Sequence, residues 1–373
     1  MSDRDHFAEL SYKMLQKDDL VQQDRQFWVE YILRLLRGKD MIETYTLGDI
    51  IEWNFTGDNI VFTQEQLEIP IGSIISKYFF SEIEAPPETV DVYRLAVSGT
   101  SVYGAGAIGS YKGITCNGVF RFDALSGGYY TVGSITEKPN ACVDIAVDSS
   151  ENVYVVGSLS SVNGSVAYWN GSAWAEIGSF LLNSVDAVDI DSDDLVYLGG
   201  DFTNVGDANG DRIVSWNGAA FASLGSGLDN DVRDLACDDD DNVYAVGDFT
   251  GYVSKWNGSS WTVIGTGFNA APSRVKVYNG DIYISGTFTT PYPYFVKWDG
   301  ESFSGFGSGL GCSDFAVLSN GDIYGSNSRQ MYFWSGSSWD AVYSELSHGS
   351  GGPISMEIDT NDNLYLGEEW VIT

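Results

Sequence analysis

From about residue 92 onward the chain alternates short apolar runs, rich in Val, Ile, Tyr and Trp, with polar stretches of Asp, Asn, Ser and Gly. Runs of this length, bounded by turn-forming residues, predict strands. The pattern also repeats. A strand ends in Asp, a polar turn follows, then a strand of the type Asn-Val-Tyr-x-x-Gly, a variable loop, and Trp-Asn-Gly-x-x-Trp. The clearest copies are Asn152-Val-Tyr-Val-Val-Gly157 with Trp169-Asn-Gly-Ser-Ala-Trp174, and Asn242-Val-Tyr-Ala-Val-Gly247 with Trp256-Asn-Gly-Ser-Ser-Trp261. The marker tyrosines Tyr103, Tyr154, Tyr197, Tyr244, Tyr283, Tyr324 and Tyr365 stand 39–51 residues apart. An all-β unit recurring at that period predicts propeller blades, each too thin to bury both of its faces alone.

Within a unit, Asn-Gly between two aromatic-bearing strands predicts a tight hairpin of type I′, which needs positive φ at both central residues. It occurs at Asn170-Gly171, Asn217-Gly218 and Asn257-Gly258, with Asp299-Gly300 and Ser335-Gly336 as variants. Six units are complete, whereas the last stops after Leu364-Tyr-Leu-Gly367 and Trp370-Val-Ile-Thr373. Ahead of the first unit, Lys77-Tyr-Phe-Phe-Ser-Glu-Ile83 has the spacing of an outer strand. The expectation is therefore a mainly β chain: a seven-bladed propeller over residues 78–373, closed by that N-terminal strand so that no long edge is left open.

These units resemble the Trp-Asn-Gly-Ser-x-Trp and Asn-Val-Tyr-x-x-Gly propeller repeats, loosely kelch-like, found in phage structural proteins and bacterial surface proteins. The resemblance covers residues 78–373 and departs most in the first unit, where Phe122-Asp-Ala-Leu-Ser-Gly-Gly-Tyr129 replaces the Trp-Asn-Gly motif. It implies a fold, and implies no activity, because propellers carry unrelated functions on their variable loops.

The remaining residues differ in kind. Residues 1–45 are charged and helical in period: Phe27, Trp28, Tyr31, Ile32, Leu35 and Leu36 make one wide apolar stripe, and Gly38 follows a basic last turn. This predicts a short helical arm whose stripe either packs on the propeller's own flank or docks into a larger assembly. Residues 46–77 read as a β-rich connector, with alternating segments such as Ile60-Val-Phe62.

Charge narrows the partners. With 19 Lys and Arg against 52 Asp and Glu, the 373-residue chain carries a formal charge of −33. No basic stripe is available to displace counterions from a nucleic acid, and an anionic membrane surface would repel the chain. The N-terminus lacks the apolar core of a secretory signal, and no apolar run reaches the ~18 residues of a membrane span. Cys116, Cys142, Cys237 and Cys312 have no paired spacing, and His6 and His348 are the only histidines. A histidine-based zinc site or a catalytic triad would have to be built on one of those two.

Three constellations could carry chemistry. Asp clusters at the recurring turn, with Asp191, Asp193, Asp238 and Asp240 as the candidates, are either plain turns or weak calcium ligands. The run from Asp359 fails the EF-hand pattern, since its sixth and twelfth positions are Leu364 and Trp370. One aligned position of the inner strands reads Arg94, Asp144, Ala187, Asp234, Arg274, Asp314 and Ser355. If it faces the axis, it is either a neutralising salt-bridge ring or a polar ligand site, and paired carboxylates there could do acid/base work as in a glycoside hydrolase or polysaccharide lyase. Tyr111, Tyr292 and Tyr294 in the variable loops are either ordinary loop aromatics or rings that stack on sugars. The expectation is a non-enzymatic structural and recognition protein without cofactor (calcium aside). It would be a virion component such as a capsid decoration, spike or tail protein, joined to other virion proteins through its arm. The alternative is a carbohydrate-binding or adhesion propeller at the bacterial surface, and a third reading is a propeller enzyme.

Overall fold

In the computed structural model the chain divides into two compact units, Met1–Ile83 and Glu84–Thr373. The residues described are 90–108, 110–111, 114–116, 118–124, 126, 128–133, 139–159, 166–177, 184–327, 330–343 and 355–367, all in the second unit. The expected helical arm, the connector and the closing strand at 77–83 lie outside the described residues.

The described residues are all β and turn, with no helix among them. They form six four-stranded antiparallel sheets, each ordered sequentially from an inner to an outer strand, apart from a two-residue ribbon inserted in the first. This is a β-propeller with six four-stranded blades. The inner strands are Val90–Ser98, Pro139–Val147, Val185–Ile190, Val232–Cys237, Pro272–Tyr278 and Asp314–Val317. A further two-stranded sheet, Ser355–Ile358 with Leu364–Gly367, packs against the inner strands of both blade 6 and blade 1.

Each piece of the repeat motif has a physical job. The Asp that ends the inner strand organises the turn. In blade 4, Asp238 Oδ1 accepts from the amides of Asp240 and Asn242 (3.0 and 2.9 Å), while Asn242 Nδ2 and the Tyr244 hydroxyl donate to Oδ2 (2.8 and 3.0 Å). The backbone and tyrosine bonds recur at Asp148, Asp191 and Asp359, with the side-chain amide donor supplied by Asn152 and Asn363 and missing at Asp191, where Leu195 takes the place of the asparagine. Val243 and its equivalents Val153 and Val196 are buried between blades. The motif glycine marks a close backbone approach within the strand pair: a Cβ on Gly247 would lie 2.1 Å from the Asp231 carbonyl, and one on Gly200 would lie 2.3 Å from that of Ser184.

The Asn-Gly hairpins differ from the expected type I′ turn. Gly171, Gly218 and Gly258 have positive φ, but the preceding asparagines do not. Trp169 pairs with Trp174 across a four-residue connection, in which the Asn170 side-chain oxygen accepts from the amides of Ser172 and Ala173. The asparagine caps its own turn, so only the glycine needs the left-handed region. A two-residue turn with both residues at positive φ does occur, at Asn279-Gly280 in blade 5, where Tyr278 pairs with Asp281.

Flanking aromatics hold the outer strands. Trp169–Trp174, Trp256–Trp261 and Trp334–Trp339 pack across the strand pair with centroids 5.5–5.7 Å apart. In blade 1, Phe122 and Tyr129 take that place at 4.9 Å despite the departing motif. The indole N–H groups of Trp174 and Trp261 reach the preceding blade, donating to the carbonyls of Val132 and Leu224. The core is thus a series of clusters lying between neighbouring sheets.

Candidate functional site: the axial seam

The innermost strand of each blade has a strand partner on one side only. Alternate backbone N–H groups on its free side therefore need another acceptor, since an orphaned buried donor is costly. The structure meets this need with side chains from the neighbouring sheet. Asp144 Oδ2 of blade 2 accepts from Val188 N of blade 3 at 2.9 Å. Asp189 Oδ2 of blade 3 accepts from Cys237 N of blade 4 at 2.7 Å. Asp234 Oδ2 of blade 4 accepts from Val275 N of blade 5 at 2.8 Å. Asp314 Oδ2 of blade 6 accepts from Met356 N of the two-stranded sheet at 2.9 Å. Ser355 Oγ of that sheet accepts from Leu95 N of blade 1 at 3.1 Å, which returns the ring to its start.

Two joints remain, and cations span both. Between blades 1 and 2, Arg94 Nε lies 3.7 Å from Asp144 Oδ1. Between blades 5 and 6, Lys276 Nζ lies 3.4 Å from Asp314 Oδ1, and it also donates to Glu357 Oε1 at 2.6 Å. Every junction around the axis is therefore bridged by a side chain, and carboxylates take part in all but one.

Backbone irregularity puts these side chains in place. Blades 1 to 5 each carry a bulge immediately before the ring position: between Val92 and Arg94, Cys142 and Asp144, Val185 and Ala187, Val232 and Asp234, and Pro272 and Arg274. A bulge bends its strand and re-aims the next side chain. In blade 3 the ring position is Ala187, which offers no acceptor, and Asp189 two residues on takes the role.

The structure thus assembles Arg94, Asp144, Asp234 and Asp314 into one seam. Arg274 stands apart: its Nη1 donates to its neighbour's carbonyl, Ser273 O, at 2.8 Å, and its Nε is buried without a partner. Sequence reasoning missed Asp189, Lys276 and Glu357. They occupy the position two residues beyond the ring position, where blades 1, 2, 4 and 6 have alanine, so the period of two was the available signal.

Enclosure displaces the charges of the seam. Burial pushes the Asp144 carboxyl up to about 6, against the pull of Arg94, and pushes Asp189 up to about 6 against the hydrogen bond from Cys237. Asp234 is raised further by burial and by the charges of Asp144 and Asp314. Burial likewise raises Glu357 despite Lys276. Burial alone would lower Lys276, but Asp314 and Glu357 outweigh it and hold the ammonium charged.

The other candidates fall elsewhere. At the turns, the Asp191 and Asp238 oxygens are engaged by backbone amides, tyrosine hydroxyls and, at Asp238, the Asn242 side chain, while Asp193 and Asp240 point into solvent. Among the described residues no three His, Cys, Asp or Glu side chains are grouped so as to hold a metal. Cys116, Cys142 and Cys312 are buried and form no disulfide. Tyr292 and Tyr294, at 43% and 37% exposure, share the loop between the second and third strands of blade 5. The Tyr292 ring lies over Gly305, and Tyr294 has φ 65° while its carbonyl accepts from Gly286 N at 3.0 Å. Tyr111 belongs to the corresponding connection of blade 1, in a two-residue strand paired with Ile114–Thr115. It shares an end of the propeller with the other two but not a blade. The stripe of Phe27, Trp28, Tyr31, Ile32, Leu35 and Leu36 lies outside the described residues, and no helix among those described is long and apolar enough to cross a membrane.

No protein-family model matches the sequence, and no curated protein is similar to it. Among solved structures, the WD40 β-propeller domain of Doa1 is similar at 12% identity over 75% of this chain and 90% of that one, with a TM-score of 0.49. Virginiamycin B lyase from Staphylococcus aureus is similar at 10% identity over 76% of this chain and 93% of that one, TM-score 0.49. YCF48 bound to D1 peptide is similar at 11% identity over 76% and 92%, TM-score 0.48. The propeller assignment rests on the sheet order and inner-strand packing rather than on these likenesses.

Proposed function

We propose that this chain is a non-enzymatic recognition and structural propeller, a component of a virion-like assembly that holds its ring rigid at the axis and displays its variable loops. The observation that carries the reading is the seam: Asp144, Asp189, Asp234 and Asp314 each spend an oxygen on a neighbouring sheet's amide, and Glu357 is tied to Lys276. Carboxylates engaged in this way are joints, and an acid/base pair needs a carboxyl free to meet a substrate. The reading further takes the two-stranded sheet as the inner half of a seventh blade, completed by residues 370–373 and by the outer strand at 77–83. The arm at residues 1–45 then joins other proteins of the assembly through its apolar stripe, in a virion put together in the host cytoplasm.

Light scattering on the full-length chain and on a version lacking residues 1–45 tests this. The full chain is expected to self-associate or to bind an assembly partner, and the truncated chain to be a folded monomer. Identical monomers would remove the arm from the argument.

A second reading, a glycan-binding surface on an extracellular or cell-surface protein, is favoured by one observation: the exposed rings of Tyr292 and Tyr294 on one loop of blade 5. Its test is a glycan array with the wild type and with Tyr292→Ala and Tyr294→Ala. Retention of a sugar that both variants lose, without release of product, would establish it over both the assembly reading and an enzyme.

A further inference from the structure

We propose that the axis of the ring is a proton-binding lock: Asp144, Asp189 and Asp234 take up protons in mildly acidic solution, which tightens the joints between sheets, and release them as pH rises, which loosens them.

The geometry encloses five acids around the axis and sets few cations among them: Arg94 lies 3.7 Å from Asp144, and Lys276 lies 3.4 Å from Asp314 and 2.6 Å from Glu357. Asp234 is 9% exposed, holds the Val275 amide, and feels the charges of Asp144 from blade 2, Asp314 from blade 6 and Arg94 from blade 1. Asp144 faces Arg94 from blade 1 and Asp189 from blade 3, with Cys142 on its own strand. Asp189 meets the Cys237 amide and thiol from blade 4 and the charge of Glu357 from the two-stranded sheet. Blade 5 supplies Lys276, which is committed to Asp314 and Glu357, and Arg274, which forms no ion pair with the seam among the described residues. Asp314 is 3% exposed and Glu357 30%, so one end of the charge chain is dry and the other touches water. Protonating one carboxyl relieves repulsion among its neighbours, and its second oxygen continues to accept the neighbouring sheet's N–H. The lock therefore keeps its hydrogen bonds while shedding charge.

The direction of the raised carboxyls agrees. A group that titrates higher in the folded chain than in the unfolded one stabilises fully below its unfolded value, 3.8 here, and the contribution is lost as pH rises through about 6. The overall charge of −33 also eases in acid, but exposed charges are screened by salt and enclosed ones much less.

The test is thermal unfolding of the full chain at about pH 5 and about pH 7.5 in roughly 0.5 M NaCl, where the Debye length is only a few ångströms. The wild type is expected to melt several degrees higher at the acid pH. The double variant Asp144→Asn and Asp234→Asn is expected to lose most of that difference and to melt above the wild type at the higher pH. The control Asp193→Asn with Asp240→Asn, on exposed turn residues, is expected to keep the difference. A wild type with no acid gain, or an axial variant with the full gain, overturns the proposal. Should the axial variant fail to fold, infrared spectroscopy of the wild type decides: a protonated-carboxyl band persisting in the folded chain at about pH 5.5, above the ordinary carboxylate range, supports the lock, and its absence overturns it.

Discussion

The aspartates of the turns and the aspartates of the axis use the same side chain for opposite electrostatic ends. At the turns, partial burial would raise Asp238 and Asp359, but hydrogen bonds from Asn242 and Asn363, from backbone amides and from tyrosine hydroxyls outweigh it and hold both carboxyls below their usual value. At the axis, Asp144 and Asp189 also accept backbone amides, yet burial wins and both rise to about 6. Depth of enclosure makes the difference, together with the number of donors. Asp238 accepts from four donor groups around it, whereas the more deeply enclosed Asp189 has the amides of Cys237 and Ile190 and the Cys237 thiol, with the charge of Glu357 acting against it. The charged form of a carboxylate is thus held by its donors and opposed by its enclosure, and the deeper enclosure at the axis tips the balance toward the protonated form.

The comparison can be broken at several points. The largest effect is expected where neither kind of aspartate provides a backbone latch, at the joint of blades 5 and 6. There Phe295 is fully buried against Phe315, Phe306 and Trp339. Phe295→Ala should cost about 3–5 kcal/mol in denaturant unfolding, because cavity formation adds to lost transfer energy. Next, Asp238→Ala removes the acceptor for four donors and should cost about 2–3 kcal/mol, with two backbone amides left to water.

Substitution by Asn sharpens the contrast further. Asp238→Asn should destabilise, while Asp234→Asn, which keeps an acceptor for Val275 N and removes one of the mutually repelling charges, should stabilise by about 1 kcal/mol near pH 7.5. Equal signs at the two sites would refute the distinction. In strong acid the order reverses. The turn carboxyls titrate below 3.8, so their contribution is present above that value and is lost as pH falls through their lowered folded values. A plot of melting temperature against pH should therefore pass through a maximum between the turn and axial ranges. The smallest effect is at the exposed latch where Asp194 accepts the Ser149 amide and hydroxyl across two blades at 2.8 and 2.5 Å. Asp194→Ala should cost about 0.5 kcal/mol, in line with other exposed charged contacts.

The repeat was legible because its residues act locally: Asn242 and Tyr244 serve an aspartate four and six positions earlier, and Gly247 lies close against the paired inner strand of its own blade. The axial position was legible as an alignment, but its meaning was not. Each aspartate latch of the axis joins residues 41–48 positions apart, and nothing short-range announces that Asp144 will meet the amide of Val188. The hairpin type was misread because Asn-Gly fits two turns equally well, and the following Ser172-Ala173 lets the asparagine side chain replace a backbone conformation. Tyr292 and Tyr294 stood out as loop aromatics, although their exposure became measurable only with the strands around them in place.

The amides of Leu95, Val188, Cys237, Val275 and Met356 are each capped by a side chain from the adjacent sheet. Strand fraying within one blade cannot expose them, because their acceptors belong to another blade. Their exchange with deuterated solvent consequently clocks the parting of whole blades, and five separate seams around the circle can each be timed by a single proton.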